Sequence, residues 1–207
     1  QIIMDLSGYS DTVVYFEDVS AGMGYNTPLR SNANTIFNGI TRPSFYWDFR
    51  TSNPESDGTN SYVTDFMNRT LKAVAHGTTF DSIEGVDLDT GHYIQIDPIT
   101  FGKPCSIEVY YNIDRSDIFG ARIIDFNTEK GVNHPFNYSD AVIIYMNSGI
   151  SVLTTSGFND GAGAVMNVWE QGVLTIDSRG NLKLYRNTSL NIDATGKNIN
   201  TVNRTLN

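Results

Sequence analysis

The sequence predicts an all-β protein, and three observations support that prediction. Short stretches in which polar and apolar residues alternate recur along the chain, roughly every 8 to 12 residues, with glycine turns between them. No window has the apolar period of about 3.6 residues that marks an amphipathic helix. The clearest stretch, residues 169–187, reads as two alternating strands joined by a short polar link.

Residues 169–187 are predicted to form a tight antiparallel hairpin. Leu174 and Ile176 lie on one face of its first strand, because successive side chains of a strand point to opposite faces. In the second strand Arg186 shares its face with two leucines. Gly180, in the link between the strands, supplies the positive-φ residue that a tight hairpin needs.

Other segments between positions 44 and 155 carry weaker strand patterns. The most aromatic of them, residues 44–50, fits a half-buried position in a sheet. Residues 82–89 and 92–96, separated by a Thr-Gly turn, are predicted to form a second hairpin. The remaining predicted strands are residues 101–112, 121–126, 140–147 and 151–155.

Composition excludes several classes of partner. The chain has 207 residues and a formal net charge of −9, whereas nucleic acids and anionic membranes demand a basic surface. No apolar run approaches the roughly 20 residues of a membrane span. A single cysteine, Cys105, forbids an internal disulfide, so a hydrophobic core must stabilise the fold.

The chain divides at about residue 44. Residues 1–43 are predicted to be an N-terminal arm or linker, because two apolar segments, 2–6 and 12–16, precede a stretch rich in Gly, Asn, Ser and Thr. The arm either adds an edge strand to a sheet or connects to a neighbouring domain. Residues 44–207 are predicted to form one sandwich domain.

Five segments of this domain, in order, resemble the successive strands of laminin-G-like and concanavalin-A-like lectin domains. They are residues 45–49, 85–88 together with 91–94, 106–110, 122–126 and 169–187. The resemblance implies an antiparallel two-sheet jelly-roll sandwich. It also implies recognition of glycans or proteins outside cells or at a particle surface.

Two features depart from that family. The family's hairpin usually continues into glycine after its Tyr-x-Asn end, whereas Thr188 follows Asn187 here. The family also carries a closing strand after a segment like residues 203–207, and this chain stops there. Since an unpaired edge invites association, we expect the arm to replace the closing strand or a neighbouring molecule to pair with the open edge.

Catalysis is not predicted. A glycosidase needs two carboxylates flanking the scissile bond, and the Glu-x-Asp-x-x-Glu pattern of glucanases with a related fold is absent from the sequence. Asp87 and Asp89 share a strand face but lack a glutamate partner. The three histidines lack the close spacing of a zinc site, and there is no G-x-S-x-G nucleophile elbow.

Calcium is the expected ion, because hard cations take carboxylate and amide oxygens from loops and laminin-G-like domains often bind one at the rim of the sandwich. Asn159 and Asp160, between glycines, form the best candidate loop, to which Asp125 or Asp140 would contribute. The alternative is that these residues form ordinary polar turns.

Glycan binding needs an aromatic ring that stacks on the sugar and polar groups that bond its hydroxyls. Phe136, Tyr138 and Phe158 lie in loop-like contexts and are the candidate ligand-binding residues. The sequence thus predicts a non-catalytic module that recognises carbohydrate or a surface protein. The alternative is a structural or host-attachment component of a larger assembly, such as the surface of a virus particle.

Overall fold

The computed structural model of the chain confirms the all-β prediction. It describes residues 2–4, 44–51, 53–67, 69–83, 85–88, 91–114, 122–127, 142–146, 149–154, 156–163 and 165–206. Within these ranges every regular element is a β-strand, and each paired strand runs antiparallel to its partner. The same ranges contain no helix long and apolar enough to cross a membrane.

The strands follow one another along the chain with short connections between most of them. Their bounds are β1 (Ile2–Met4), β2 (Phe45–Trp47), β3 (Glu55–Ser56), β4 (Ser61–Thr64), β5 (Lys72–His76), β6 (Phe80–Asp81), β7 (Gly85–Val86), β8 (Tyr93–Phe101), β9 (Cys105–Asn112), β10 (Arg122–Asn127), β11 (Val142–Met146), β12 (Ile150–Thr154), β13 (Gly157–Asp160), β14 (Trp169–Ile176), β15 (Leu182–Arg186), β16 (Ser189–Ala194) and β17 (Val202–Leu206).

These strands form two large sheets and one separate pair. The six-stranded sheet has the order β16-β15-β14-β9-β1-β2, and the nine-stranded sheet has the order β13-β12-β11-β10-β17-β8-β5-β4-β3. Strands β6 and β7 pair only with each other among the described residues.

One hydrophobic core lies between the two large sheets. Ile107 and Leu174 of the six-stranded sheet belong to the same buried cluster as Ile96, Phe126 and Val152 of the nine-stranded sheet. Each of these side chains is at most 1% exposed. Because residues of both sheets pack in one cluster, the sheets lie face to face, which is the arrangement of a β-sandwich.

The hairpin predicted at residues 169–187 is confirmed as β14 and β15. Ile176 pairs with Leu182 next to the turn, and Gly172 pairs with Arg186 farther from it. Gly180 has a φ of 84°, as the tight link requires. Arg186 is buried on the same face as the leucines of β15, which also agrees with the alternation read from the sequence.

The prediction of a second hairpin at residues 82–96 is wrong. Strand β7 pairs with β6 instead, and β8 pairs with β5 on one side and β17 on the other. The alternation of apolar residues determines which face of a strand is buried, but it does not determine which strand becomes the neighbour.

Both ends of the chain contribute interior strands. Strand β1 was expected at an edge, but it lies between β2 and β9, with Ile3 paired to Tyr46 and to Glu108. The other apolar segment of the arm, residues 12–16, lies outside the described residues. Strand β17, expected to precede a missing closing strand, lies between β8 and β10 inside the nine-stranded sheet.

Candidate functional site

A polar cleft of about 180 Å³ lies beside strands β2, β3 and β4. Three short pieces of chain meet there: the residue after β2, the start of β3, and the end of β4 with the turn that follows it. The lining residues are Asp48, Glu55, Thr64, Asp65, Phe66 and Arg69.

Asp65 anchors the turn that forms one wall of the cleft. Its side chain is fully buried, and its Oδ1 accepts hydrogen bonds from the backbone N–H of Tyr46 at 2.5 Å and of Met67 at 3.3 Å. The backbone N–H of Phe66 donates to the carbonyl of Tyr46 at 2.7 Å. These bonds hold the turn against β2 and satisfy backbone groups that would otherwise be buried without a partner.

Arg50 holds the side chain of Asp48 in place. The backbone N–H of Arg50 donates to Asp48 Oδ1 at 3.0 Å, and the guanidinium Nε lies 3.5 Å from the same oxygen. The side chain of Asp48 is only 16% exposed, and that of Arg50 only 7%. Arg50 therefore balances part of the charge of Asp48.

Glu55 and Arg69 lie at the exposed rim of the cleft. Thr64 Oγ1 donates a hydrogen bond of 3.1 Å to Glu55 Oε1, which links β4 to β3. Glu55 and Arg69 are both solvent-exposed, and Thr64 is half-buried. The rim thus presents an acceptor and a donor of opposite charge.

Phe66 supplies the aromatic ring of the cleft. Its ring packs edge-to-face on Tyr46, with centroids 5.5 Å apart and an interplanar angle of 82°. Tyr46 is 2% exposed, whereas Phe66 is half-buried. The buried tyrosine therefore fixes the orientation of a ring that stays partly accessible.

The predicted calcium residues Asn159 and Asp160 lie in β13 rather than in a loop. Asp160 Oδ1 accepts a 2.9 Å hydrogen bond from Ser151 Oγ, and Asn159 Nδ2 is 3.5 Å from the carbonyl of Val152. The glycine-rich composition suggested a loop, but residues 157–160 pair with β12 along their whole length.

Asp125 lies apart from that pair. It is buried in β10, where Arg122 binds its carboxylate. Burial raises the pKa of Asp125, and Arg122 opposes that change. Strands β10 and β13 are three strand spacings apart, about 14 Å along the sheet. Since calcium binds oxygens at about 2.4 Å, one ion cannot contact both Asp125 and Asp160.

The remaining predicted site residues are less fully described. Phe158 lies in β13, where its backbone pairs with Leu153. Phe136, Tyr138 and Asp140 lie outside the described residues. In the described part of the chain, no group of three or more His, Cys, Asp or Glu side chains is arranged to hold a metal ion. Calcium binding therefore stays a prediction.

The sequence reasoning did not identify the cleft. Its lining residues come from three segments, at 48, 55 and 64–69, and no single spacing pattern joins them. One signal was present: the dipeptide Asp-Phe directly follows both β2 and β4, at Asp48 and Asp65.

Comparison of the chain with protein-family models, with curated proteins and with solved structures gives no match.

Proposed function

We propose that this chain is a non-catalytic carbohydrate-recognition module with a jelly-roll sandwich fold, acting outside cells or at a particle surface. In this proposal a sugar binds in the cleft between Asp48 and Phe66. The observation that carries the proposal is that the cleft combines a partly accessible aromatic ring with hydrogen-bonding groups of both kinds.

A sugar ring offers one apolar face and several hydroxyl groups. Phe66 is suited to stack on the apolar face, because its ring is half-buried and its orientation is fixed by packing against Tyr46. Glu55 and Asp48 would accept hydrogen bonds from hydroxyls, and Arg69 would donate to them. Sugars are bound in this way, by stacking combined with a few directed polar contacts.

The size of the cleft indicates a small ligand. Its volume, about 180 Å³, is below the roughly 300–1,000 Å³ of pockets that enclose drug-sized molecules. A single sugar residue, or the end of a chain, fits this description better than a long segment does.

The roles of the carboxylates support binding rather than bond cleavage. A glycosidase needs one carboxyl group as acid and another as base or nucleophile. Asp65 is bonded to two backbone N–H groups, Asp48 to Arg50, and Glu55 to a threonine hydroxyl. Each of the three therefore already stabilises the local fold.

A glycan-array screen with the whole chain tests the proposal. We expect binding to at least one glycan, and we expect Phe66→Ala to weaken that binding about fivefold, since an aromatic contact contributes on the order of 1 kcal/mol. Tyr185→Ala is the matched control, because Tyr185 is a half-buried aromatic residue on β15, away from the cleft. Circular dichroism of both variants verifies folding.

Three outcomes would contradict the proposal. Binding to no glycan would reject carbohydrate recognition, and if the chain also self-associates, the alternative of an assembly component gains support. An unchanged affinity of Phe66→Ala would reject the cleft as the site. Release of new reducing ends from a bound glycan would reject the non-catalytic part.

A further inference from the structure

We propose that Asn187 is an attachment site for an N-linked glycan. The proposal rests on the proposed location outside cells, and it does not depend on carbohydrate binding in the cleft. The observation that carries it is that Asn187 begins an Asn-Thr-Ser sequence in an exposed turn, with its side-chain oxygen bonded to the neighbouring strand. Its side-chain nitrogen bonds to no group in the described part of the chain.

The sequence contains four Asn-x-Ser/Thr sites in which x is not proline, and this is the acceptor pattern of N-glycosylation. They begin at Asn68, Asn137, Asn187 and Asn203. Asn68 and Asn137 lie outside the described residues. Asn203 lies in β17, between β8 and β10, whereas Asn187 lies in the turn that joins β15 to β16. Attached glycans are bulky and lie at protein surfaces, so an exposed turn is the more suitable position.

The β15–β16 turn exposes the whole acceptor sequence. Arg186 pairs with Ser189, so Asn187 and Thr188 are the two central residues of the turn. Their φ angles are 44° and 70°, and positive φ at both central residues is typical of two-residue hairpin turns. Asn187, Thr188 and Ser189 are all solvent-exposed. A glycan attached in this turn would therefore lie at the surface of the fold.

Hydrogen bonds to Gln171 orient the Asn187 side chain. The backbone N–H of Asn187 donates to the carbonyl of Gln171 at 2.9 Å, and the backbone N–H of Gln171 donates to Asn187 Oδ1 at 2.8 Å. Oδ1 therefore faces β14. Because Oδ1 and Nδ2 diverge from Cγ in the planar side-chain amide, Nδ2 points away from the strand that holds Oδ1.

The chemistry of attachment preserves this arrangement. Nδ2 forms a bond to C1 of an oligosaccharide carried on a lipid pyrophosphate, and the bond between C1 and the pyrophosphate oxygen breaks. Nδ2 gives one proton to the transferring enzyme, and the lipid pyrophosphate leaves. Asn187 Oδ1 remains an amide oxygen that can accept the hydrogen bond from Gln171. Attachment therefore retains the bonds that hold the turn against β14.

Ser189 provides the test, because the acceptor pattern requires a hydroxyl group two residues after the asparagine. Ser189→Ala removes that hydroxyl but keeps Asn187 and its bonds to Gln171. Ser189→Thr restores a hydroxyl. Ser178→Ala is the matched control, since Ser178 is an exposed serine in the β14–β15 turn and belongs to no acceptor sequence.

The experiment directs the whole chain into the secretory pathway of cultured mammalian cells with a cleavable signal sequence. Enzymatic release of N-glycans in isotopically labelled water converts each occupied asparagine to labelled aspartate, and peptide mass spectrometry locates the label in protein from both cells and medium. We expect label at position 187 in most molecules of the unmodified chain, of Ser178→Ala and of Ser189→Thr. We expect none at this position in Ser189→Ala.

Thermal unfolding tests whether the folded chain accommodates the glycan. We expect the midpoint of the glycosylated chain to lie no more than about 2 °C below that of Ser189→Ala, as for a surface change that breaks no packing or hydrogen bond. A larger fall would overturn the inference that Nδ2 points to solvent.

Two results of the mass analysis would overturn the proposal. One is absence of label at position 187 in the unmodified chain, whether or not other asparagines carry it. The other is label that persists at position 187 in Ser189→Ala, because attachment would then not depend on the acceptor sequence. Neither result bears on the cleft, which the glycan-array screen tests separately.

Discussion

Glu170 and Arg186 form an ion pair inside the six-stranded sheet. Arg186 Nη2 donates to both carboxylate oxygens of Glu170, at 2.6 and 2.7 Å, and the two side chains are 4% and 9% exposed. Arg186 Nη1 also donates to the carbonyls of Ala162 and Gly163, at 3.1 and 2.7 Å. The ion pair therefore ties β14 and β15 to the segment that follows β13 of the other sheet.

Arg186→Met should destabilise the fold by about 3 kcal/mol. The substitution leaves the Glu170 carboxylate buried without its counter-charge, and breaking a buried pair in this way costs roughly 3–5 kcal/mol. The free energy of unfolding, measured by denaturant titration, checks the prediction. Lys183→Met is the control, because Lys183 lies on the same strand with a half-buried side chain on the opposite face. We expect it to change stability by less than about 0.5 kcal/mol.

The β14–β15 hairpin shows which structural features could be predicted from the sequence. Alternation correctly placed Arg186 on the buried face, because a strand has a period of two residues. The partner of Arg186 was not predicted, although it follows from the register. Gly172 lies opposite Arg186, so Glu170 is the diagonal neighbour on the same face. The local sequence pattern thus predicts which face of a strand is buried. Which side chains pair across two strands depends on the register between those strands, which the pattern does not give.

Neither the cleft nor the actual strand pairing of residues 82–96 could be predicted from the sequence, and the reason is related. The neighbours of β8 are β5 and β17, and the partner residues of β17 lie about a hundred positions later in the chain. The cleft likewise requires that the turn after β4 bond to β2, through Asp65 and Tyr46. Such long-range contacts leave no periodic signal in the sequence.

Thr188→Gly should stabilise the fold by about 0.5–1 kcal/mol. Thr188 has a φ of 70° and Asn187 a φ of 44°, so a β-branched residue occupies the left-handed region in the β15–β16 turn. Such a residue pays about 1–2 kcal/mol there, and the greater freedom of glycine in the unfolded chain offsets part of the gain.

Denaturant unfolding of Thr188→Gly checks this prediction. Thr59→Gly is the control, since Thr59 is an exposed turn residue that is not among those with a positive φ. The control substitution should leave stability unchanged or lower it. A loss of stability in Thr188→Gly would contradict the proposal that the positive φ of Thr188 destabilises the folded state.

Gly161→Ala should destabilise the fold by about 2 kcal/mol, whereas Gly172→Ala should cost less than about 1 kcal/mol. A Cβ at position 161 would overlap the carbonyl of Ile150 and the side chain of Asn191. A Cβ at position 172 would meet side chains first, with Tyr111 Cε1 at 3.2 Å, and the nearest backbone atom, the carbonyl oxygen of Val109, would lie at 3.8 Å, an ordinary van der Waals distance. Overpacking against backbone is the more costly case, because backbone cannot rotate away.

Thermal unfolding of the two glycine variants, compared at equal protein concentration, checks this contrast. Equal midpoints would show that the backbone around Gly161 adjusts easily. That result would favour the sequence-based view of residues 157–163 as a flexible loop over the close packing of this segment against β12 and β16.

Asp177 should make the hairpin turn sensitive to acid. The backbone N–H of Asn181 donates to Asp177 Oδ1 at 2.9 Å, and the Asn181 side chain donates to Oδ2 at 2.6 Å. These bonds, with one from the backbone of Arg179, hold the pKa of Asp177 below its ordinary value of 3.8. A carboxylate with a lowered pKa stabilises the folded state above its unfolded pKa, and this contribution is lost as the pH falls through the folded pKa.

Asp177→Asn isolates this contribution, because asparagine keeps an acceptor oxygen but does not titrate. We expect the free energy of unfolding of the unmodified chain to exceed that of Asp177→Asn by a constant amount above about pH 5. The difference should decline below about pH 4 and level off once the carboxyl group is protonated in both states. Denaturant titrations of the two proteins across this range measure it. A difference that does not change with pH would mean that ionisation of Asp177 contributes nothing to the turn.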